Sequence, residues 1–280
     1  QRQMCIRDRG KGIAWQAMHN NPVSNAFIVH DLKVISETAE RLGKKADADR
    51  YRRQLEATTK AYIEKFVSKK GIVAKDYQSA YIMALKFVLP EGELRELVKK
   101  NFAANIRKNG LQTGFFATEH LLPLLVEAGE TELAYDILLQ EGCPGWMYQI
   151  KCGATTTWER WDALKPDGTV NEEKMAGSGD NMVSFNHYAF GSVGEFYYQY
   201  ILGIKPQKPG FAELHFEPYP NRRLGGVSGS YLSRAGKIES SWKYEEDGCH
   251  ISLNTPVKSE VVLPDGKKET VEAGTYQWLC

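Results

Sequence analysis

The chain has 280 residues, with 36 Lys and Arg against 35 Asp and Glu and a formal net charge of +1. That balance gives no reason to expect a nucleic-acid footprint, which needs clustered excess base, and 42% hydrophobic with 25% charged residues excludes whole-chain disorder. No run of about 18 apolar residues exists to span a membrane.

Residues 1–9 read as a stray leader. Arg2, Arg7, Asp8 and Arg9 leave no apolar run for a signal peptide, and the pattern matches nothing that follows. The true N-terminus is expected to lie in a longer chain, which leaves the compartment open. From there to about residue 205 helical periodicity dominates. Ala26 to Leu42 carries apolar residues three or four apart and closes at Gly43. Ala46 to Phe66 is amphipathic, Ser79 to Leu89 more apolar and stopped by Pro90, and Glu93 to Ile106 amphipathic again before Asn109-Gly110. Glu119 to Ala128 and Glu132 to Gln140 flank Gly129, and Ser184 to Leu202 reads as the last helix, closed by Gly203 and Pro206. Short turns between such helices favour antiparallel neighbours, hence hairpins in a bundle or helical toroid.

After residue 205 the texture changes. Phe211 to Glu217, Gly226 to Ser233, Gly236 to Tyr244, Cys249 to Asn254, Ser259 to Leu263 and Thr275 to Leu279 read as strands separated by Gly turns. Strands at such spacing predict a small antiparallel β-sandwich. The fold class is therefore mainly α with a C-terminal β domain.

Between Gly142 and Val183 no period is visible, and a loop that long in a compact domain is usually functional. It holds Trp146, Tyr148, Trp158 and Trp161 beside Glu159, Arg160, Asp162 and Asp180. Aromatic faces stack on the C–H face of a sugar, and carboxylates take its hydroxyls and move protons, so the composition fits the lining of a carbohydrate site. The five cysteines form no CxxC, and the six histidines are scattered without a His-Glu-x-x-His, so neither a zinc ribbon nor a catalytic zinc is expected. The lysine pairs at 44–45 and 99–100 read as solvated helix faces.

The run Gly153-Ala154-Thr155-Thr156-Thr157-Trp158-Glu159-Arg160-Trp161-Asp162, followed by Ser184-Phe185-Asn186-His187-Tyr188 and on to Glu195, resembles the carboxy-terminal half of bacterial α-L-rhamnosidases, glycoside hydrolase family 78. The similarity extends over nearly the whole chain after Gly10, including Leu111 to Phe115 and Pro209-Gly210-Phe211. The resemblance implies an (α/α)6 toroid, present in part over residues 10–205, and a β-sandwich domain over 206–280. It implies an inverting hydrolase that releases terminal α-L-rhamnose from rhamnose-containing carbohydrates without metal or organic cofactor. In that reading Glu159 is the general base, and His187, Trp146, Trp158, Trp161 and Arg160 bind substrate. The family's general acid lies in an upstream Asp/Glu/Arg-rich motif, and Ile6 to Arg9 does not resemble it. Asp180 is the best substitute within the chain, although a solvated loop aspartate is its default reading.

A toroid of this kind needs more helices than these segments supply, so the chain reads as a fragment. An apolar patch is then expected on the side of Gly12 to Leu42. Two other readings compete with a rhamnosidase: a non-catalytic carbohydrate-binding remnant, and another (α/α)6 glycosidase. The aglycone and the oligomeric state are left open.

Overall fold

The computed structural model describes residues 21–172 and 183–280. The chain divides into two compact units, the first ending at Phe190 and the second running from Gly191 to Cys280.

The first unit is a series of helical hairpins. Helix α1 (Pro22–Arg41) starts where Asn21 Oδ1 accepts from the amides of Val23 and Ser24 at 2.9 and 3.2 Å, with Pro22 in the first turn. Gly43, at φ 70°, turns the chain into α2 (Lys45–Phe66). The two helices pack against each other, and α1 buries Ala26, Val29 and Ala39 while α2 buries Ala48 and Tyr62. Helix α3 (Gln78–Met83) is buried along its whole length and runs on through a π-turn at Ala84–Val88. The buried Arg95, on α4 (Glu93–Asn109), donates to the carbonyls of Leu85 and Leu89 at 2.6 and 3.0 Å. It thereby satisfies carbonyls that the end of that helix leaves without an internal partner. Helices α5 (Phe115–Glu127) and α6 (Thr131–Leu139) form the next pair about Gly129, and α7 (Trp146–Lys151) is short. The amphipathic α2 and α4 thus alternate with the more buried α3 and α5.

On α1, Ile28, Ile35 and Leu42 recur on one stripe and are 48%, 43% and 67% exposed, with Val34 beside them. This is the side on which an apolar surface was expected; residues 12–20 of that expectation lie outside the described residues.

The segment read as one helix from Ser184 begins later, and in three styles. A 3-10 turn at Tyr188–Ser192 leads into α8 (Val193–Phe196) and a π-turn at Tyr197–Ile201. Ser184 to His187 instead forms an irregular, bent segment, for a reason given below. In the second unit the carbonyls at the end of this helix are taken by side chains of a strand. Trp242 Nε1 donates to Ile201 O and Ser240 Oγ to Leu202 O, each at 2.6 Å.

That unit contains eight strands in two four-stranded sheets. One has the order β1 (Ile204–Pro206), β2 (Leu214–Phe216), β6 (Ser259–Val262), β7 (Lys268–Val271); the other β3 (Gly226–Ser233), β4 (Gly236–Glu245), β5 (Gly248–Thr255), β8 (Gly274–Leu279). The pairings are antiparallel except β2 with β6, which is parallel. The alternation of buried and part-exposed residues along β5 sets the register, with Ile251 opposite Trp278 and Leu253 opposite Tyr276. Two short strands, β1 and β7, have no period long enough to read from sequence. Among the described residues no helix is long and apolar enough to cross a membrane.

Candidate active site

The long loop of the first unit is organised by a ladder between two stretches far apart in sequence. Thr155, Thr156 and Thr157 are β-branched and favour extended backbone. Thr156 and Thr157 lie against Phe185 and His187. Glu159 N donates to Ser184 O at 2.8 Å, and His187 N donates to Thr157 O at 2.8 Å. Thr157 Oγ1 donates to His187 O at 2.6 Å, and Thr156 Oγ1 donates to Phe185 O. These bonds keep Ser184 to His187 out of the helix that follows.

Glu159 stands at the end of this ladder. Its side chain turns back so that Oε2 accepts from Ser184 N at 2.8 Å. The residue is 8% exposed, and among the described residues no donor reaches Oε1. One oxygen is thus anchored and the other is open to a further partner.

The loop's aromatic residues are set from below. Buried Gln78, at the start of α3, accepts from Gln112 N at 2.8 Å and donates to Gly110 O at 2.9 Å. That fixes the turn carrying Thr113, whose carbonyl accepts from Trp161 Nε1 at 3.1 Å. Trp161 stacks on Phe190 with centroids 3.8 Å apart and planes 9° apart. Trp146 meets Trp161 edge-on at 5.0 Å and donates its Nε1 to Phe190 O at 2.9 Å. Trp158 packs with Tyr148 and Ala163 and edge-on to Phe185. All three indoles are buried, at 5% for Trp146, 3% for Trp158 and 9% for Trp161. Their ring faces are occupied by protein.

Arg160 grips Asp162 with both prongs of its guanidinium, Nε to Oδ1 at 2.7 Å and Nη2 to Oδ2 at 2.8 Å, and Asn171 Nδ2 adds a bond to Oδ2 at 2.7 Å. The bond from Arg160 holds the Asp162 carboxyl below its ordinary range, against the desolvation that opposes it. This clasp folds the chain just after Glu159.

His187 is half-buried. Its ring stacks on Phe115 at 4.6 Å and on Tyr188 at 5.5 Å, and its Nδ1 accepts from Ala189 N at 3.3 Å. That acceptor role assigns the proton of the neutral ring to Nε2. The structure therefore brings Glu159 and His187 onto one ladder, with Trp146 and Trp161 as its packed support. Asp180 lies outside the described residues. Among the described residues, the His and acidic side chains grouped closely enough to hold a cation are Glu245, Asp247 and His250, all exposed on the β4–β5 hairpin of the second unit. Ser184 and Thr157 stand within the motif runs without a role of their own being expected; a Ser-Phe-Asn-His run facing a triple threonine was the available sign.

Comparison with known proteins follows the same division. Residues 13–201 match the profile of the bacterial alpha-L-rhamnosidase 6 hairpin glycosidase domain, and residues 203–277 that of the bacterial alpha-L-rhamnosidase C-terminal domain. The chain is 36% identical over 248 residues to an alpha-L-rhamnosidase of Alteromonas sp. (strain LOR), covering 86% of this chain and 26% of that protein. It is 33% identical over 254 residues to an alpha-L-rhamnosidase of Streptomyces avermitilis, covering 89% and 24%. Among solved structures, the native alfa-L-rhamnosidase of Aspergillus terreus superposes with a TM-score of 0.83 at 30% identity, over 92% of this chain and 30% of that one. The Streptomyces avermitilis alpha-L-rhamnosidase complexed with L-rhamnose gives 0.82 at 31% identity, over 91% and 26%. The chain thus spans about a quarter of the length of the curated relatives it matches.

Proposed function

The chain belongs to the bacterial alpha-L-rhamnosidase family, and from that premise we propose that it is the carboxy-terminal part of a glycoside hydrolase that releases terminal α-L-rhamnose. Glu159 is the general base. The observation that carries this assignment is its two-sided carboxylate, Oε2 fixed by Ser184 N at 2.8 Å and Oε1 without a donor among the described residues. A base must be held still and yet offer a lone pair to the proton it takes. The buried setting strengthens each electrostatic contact it makes.

In this reading the reaction inverts the anomeric centre. Oε1 takes a proton from a water molecule as that water attacks the anomeric carbon. A carboxylic acid ~6.5–9.5 Å from Glu159 protonates the departing oxygen from the other side. We assign that acid to the part of the full-length protein outside this chain, which spans about a quarter of its curated relatives. His187, with its Nε2–H, donates to a sugar hydroxyl. The guanidinium of Arg160 acts through its clasp on Asp162, which shapes the turn after the base. Trp146 and Trp161 hold the floor of the site. No step requires a metal or organic cofactor, and the partner is a rhamnose-containing carbohydrate.

The test is Glu159→Gln in the full-length enzyme, assayed on a chromogenic α-L-rhamnoside. The amide keeps the bond from Ser184 and loses the base, so kcat is expected to fall about 10²–10⁴-fold with an unchanged melting temperature. Near-normal turnover overturns the assignment.

A further inference from the structure

Among the described residues the three indoles of the loop are buried and offer no open face to a sugar, and one ring beside them is placed to supply it. Tyr188 is 80% exposed, the most exposed large hydrophobic side chain among the described residues. Exposure alone does not mark a binding surface; what sets Tyr188 apart is that its ring is aligned on a column of rings beside Glu159.

We propose that Tyr188 is the stacking platform for the substrate, taking the apolar C–H face of a pyranose ring. The inference rests on the rhamnosidase reading and names the ring that reading lacks. The Tyr188 ring is aligned with its neighbours. Its plane lies within 6° of His187 at 5.5 Å, and His187 lies within 20° of Phe115 at 4.6 Å. The three rings form a column footed on α5, with Tyr188 at its open end. A platform ordered before the ligand arrives loses little entropy on binding.

Its position relative to the base is also fixed. The residue before it, His187, is bound twice to Thr157, at 2.8 and 2.6 Å, and Thr157 is two residues from Glu159. Tyr188 is four residues beyond Ser184, which holds the Glu159 carboxylate, so the two anchors are at most about 13 Å apart along the chain. A ring on Tyr188 and a water on Glu159 can belong to one bound saccharide.

The experiment measures Tyr188→Ala, Tyr188→Phe and wild type in the full-length enzyme. The readouts are KM and kcat on a chromogenic α-L-rhamnoside, Ki for L-rhamnose, and melting temperature. Tyr188→Ala is expected to raise KM and Ki about tenfold or more while kcat changes less than threefold. Tyr188→Phe, which keeps the face and loses the hydroxyl, is expected to restore both to within about threefold. A Tyr188→Ala enzyme with KM and Ki within twofold of wild type overturns the platform and leaves the rhamnosidase reading standing. A melting temperature lowered with KM unchanged overturns it too, because the ring is then a packing surface for the rest of the protein. A wild-type enzyme inert on rhamnosides overturns both readings.

Discussion

Glu159 and Ser184 hold each other by two hydrogen bonds of 2.8 Å, one from the Glu159 amide to the Ser184 carbonyl and one from the Ser184 amide back to Glu159 Oε2. A carboxylate on a loop is thereby fixed by the main chain of a segment 25 residues away. Its position depends on backbone geometry, which most side-chain substitutions nearby leave intact.

The hydroxyl of Thr157 is part of that geometry. Thr157→Val keeps the β-branched shape and removes the 2.6 Å bond to His187 O. The loss of one such bond costs about 0.5–1.5 kcal/mol of stability. Chemical denaturation is expected to show that loss, and kcat to fall severalfold because both His187 and Glu159 sit on the loosened ladder.

Arg160→Lys keeps the charge and loses the fork. A lysine ammonium cannot make the paired 2.7 and 2.8 Å bonds to Asp162. Activity on a rhamnoside is expected to fall about tenfold or more. The Asp162 carboxyl, no longer held by the forked bond, is expected to titrate at higher pH, as followed by NMR.

In the second unit, Trp242→Phe tests the capping of the helix end. Phenylalanine fills most of the space and leaves the Ile201 carbonyl, now receiving from Nε1 at 2.6 Å, without that buried donor. The cost is about 1–3 kcal/mol. A lowered melting temperature checks it. Gly203→Ala is expected to be worse than most surface changes: at φ 75° a Cβ would stand 2.4 Å from Pro218 N, so the backbone itself must shift.

His120 gives the fold a pH dependence. Burial lowers its pKa from 6.5 to about 4, with the charges of Lys86 and His30 adding to the effect. Its neutral form is favoured in the folded state, so the unfolded chain binds the extra proton first as pH falls. The stability it contributes is complete above pH 6.5 and is lost on acidification through the window down to about pH 4. Urea midpoints across that range are expected to drop in wild type and to drop less in His120→Gln.

Much of this architecture is legible in the amino acids. The helix α1 was readable from apolar spacing and Gly43, and β3 from alternation and flanking glycines, because each has a period longer than its boundary errors. Helix α7 and strands β1 and β7 are too short to show a period. The start of the last helix was misplaced because Ser184 to His187 is held out of the helix by partners some 25–30 residues upstream in sequence, which no local pattern records. At the site, the motif pointed to Glu159 and His187, but the burial of Trp158 in a cluster with Tyr148 and Ala163 and the exposure of Tyr188 follow from tertiary packing alone. Aromatic residue type signals a sugar site or a core equally well; only solvent access tells the two apart.

The ladder between residues 156–159 and 184–187 closes the chain upon itself, so what lies between them is a tethered excursion. Lengthening a tether whose ends are pinned costs only about 0.6 kcal/mol per doubling. The Glu159 carboxylate therefore takes its place from the closure itself, and a change in the length of the excursion leaves its Ser184 anchor intact.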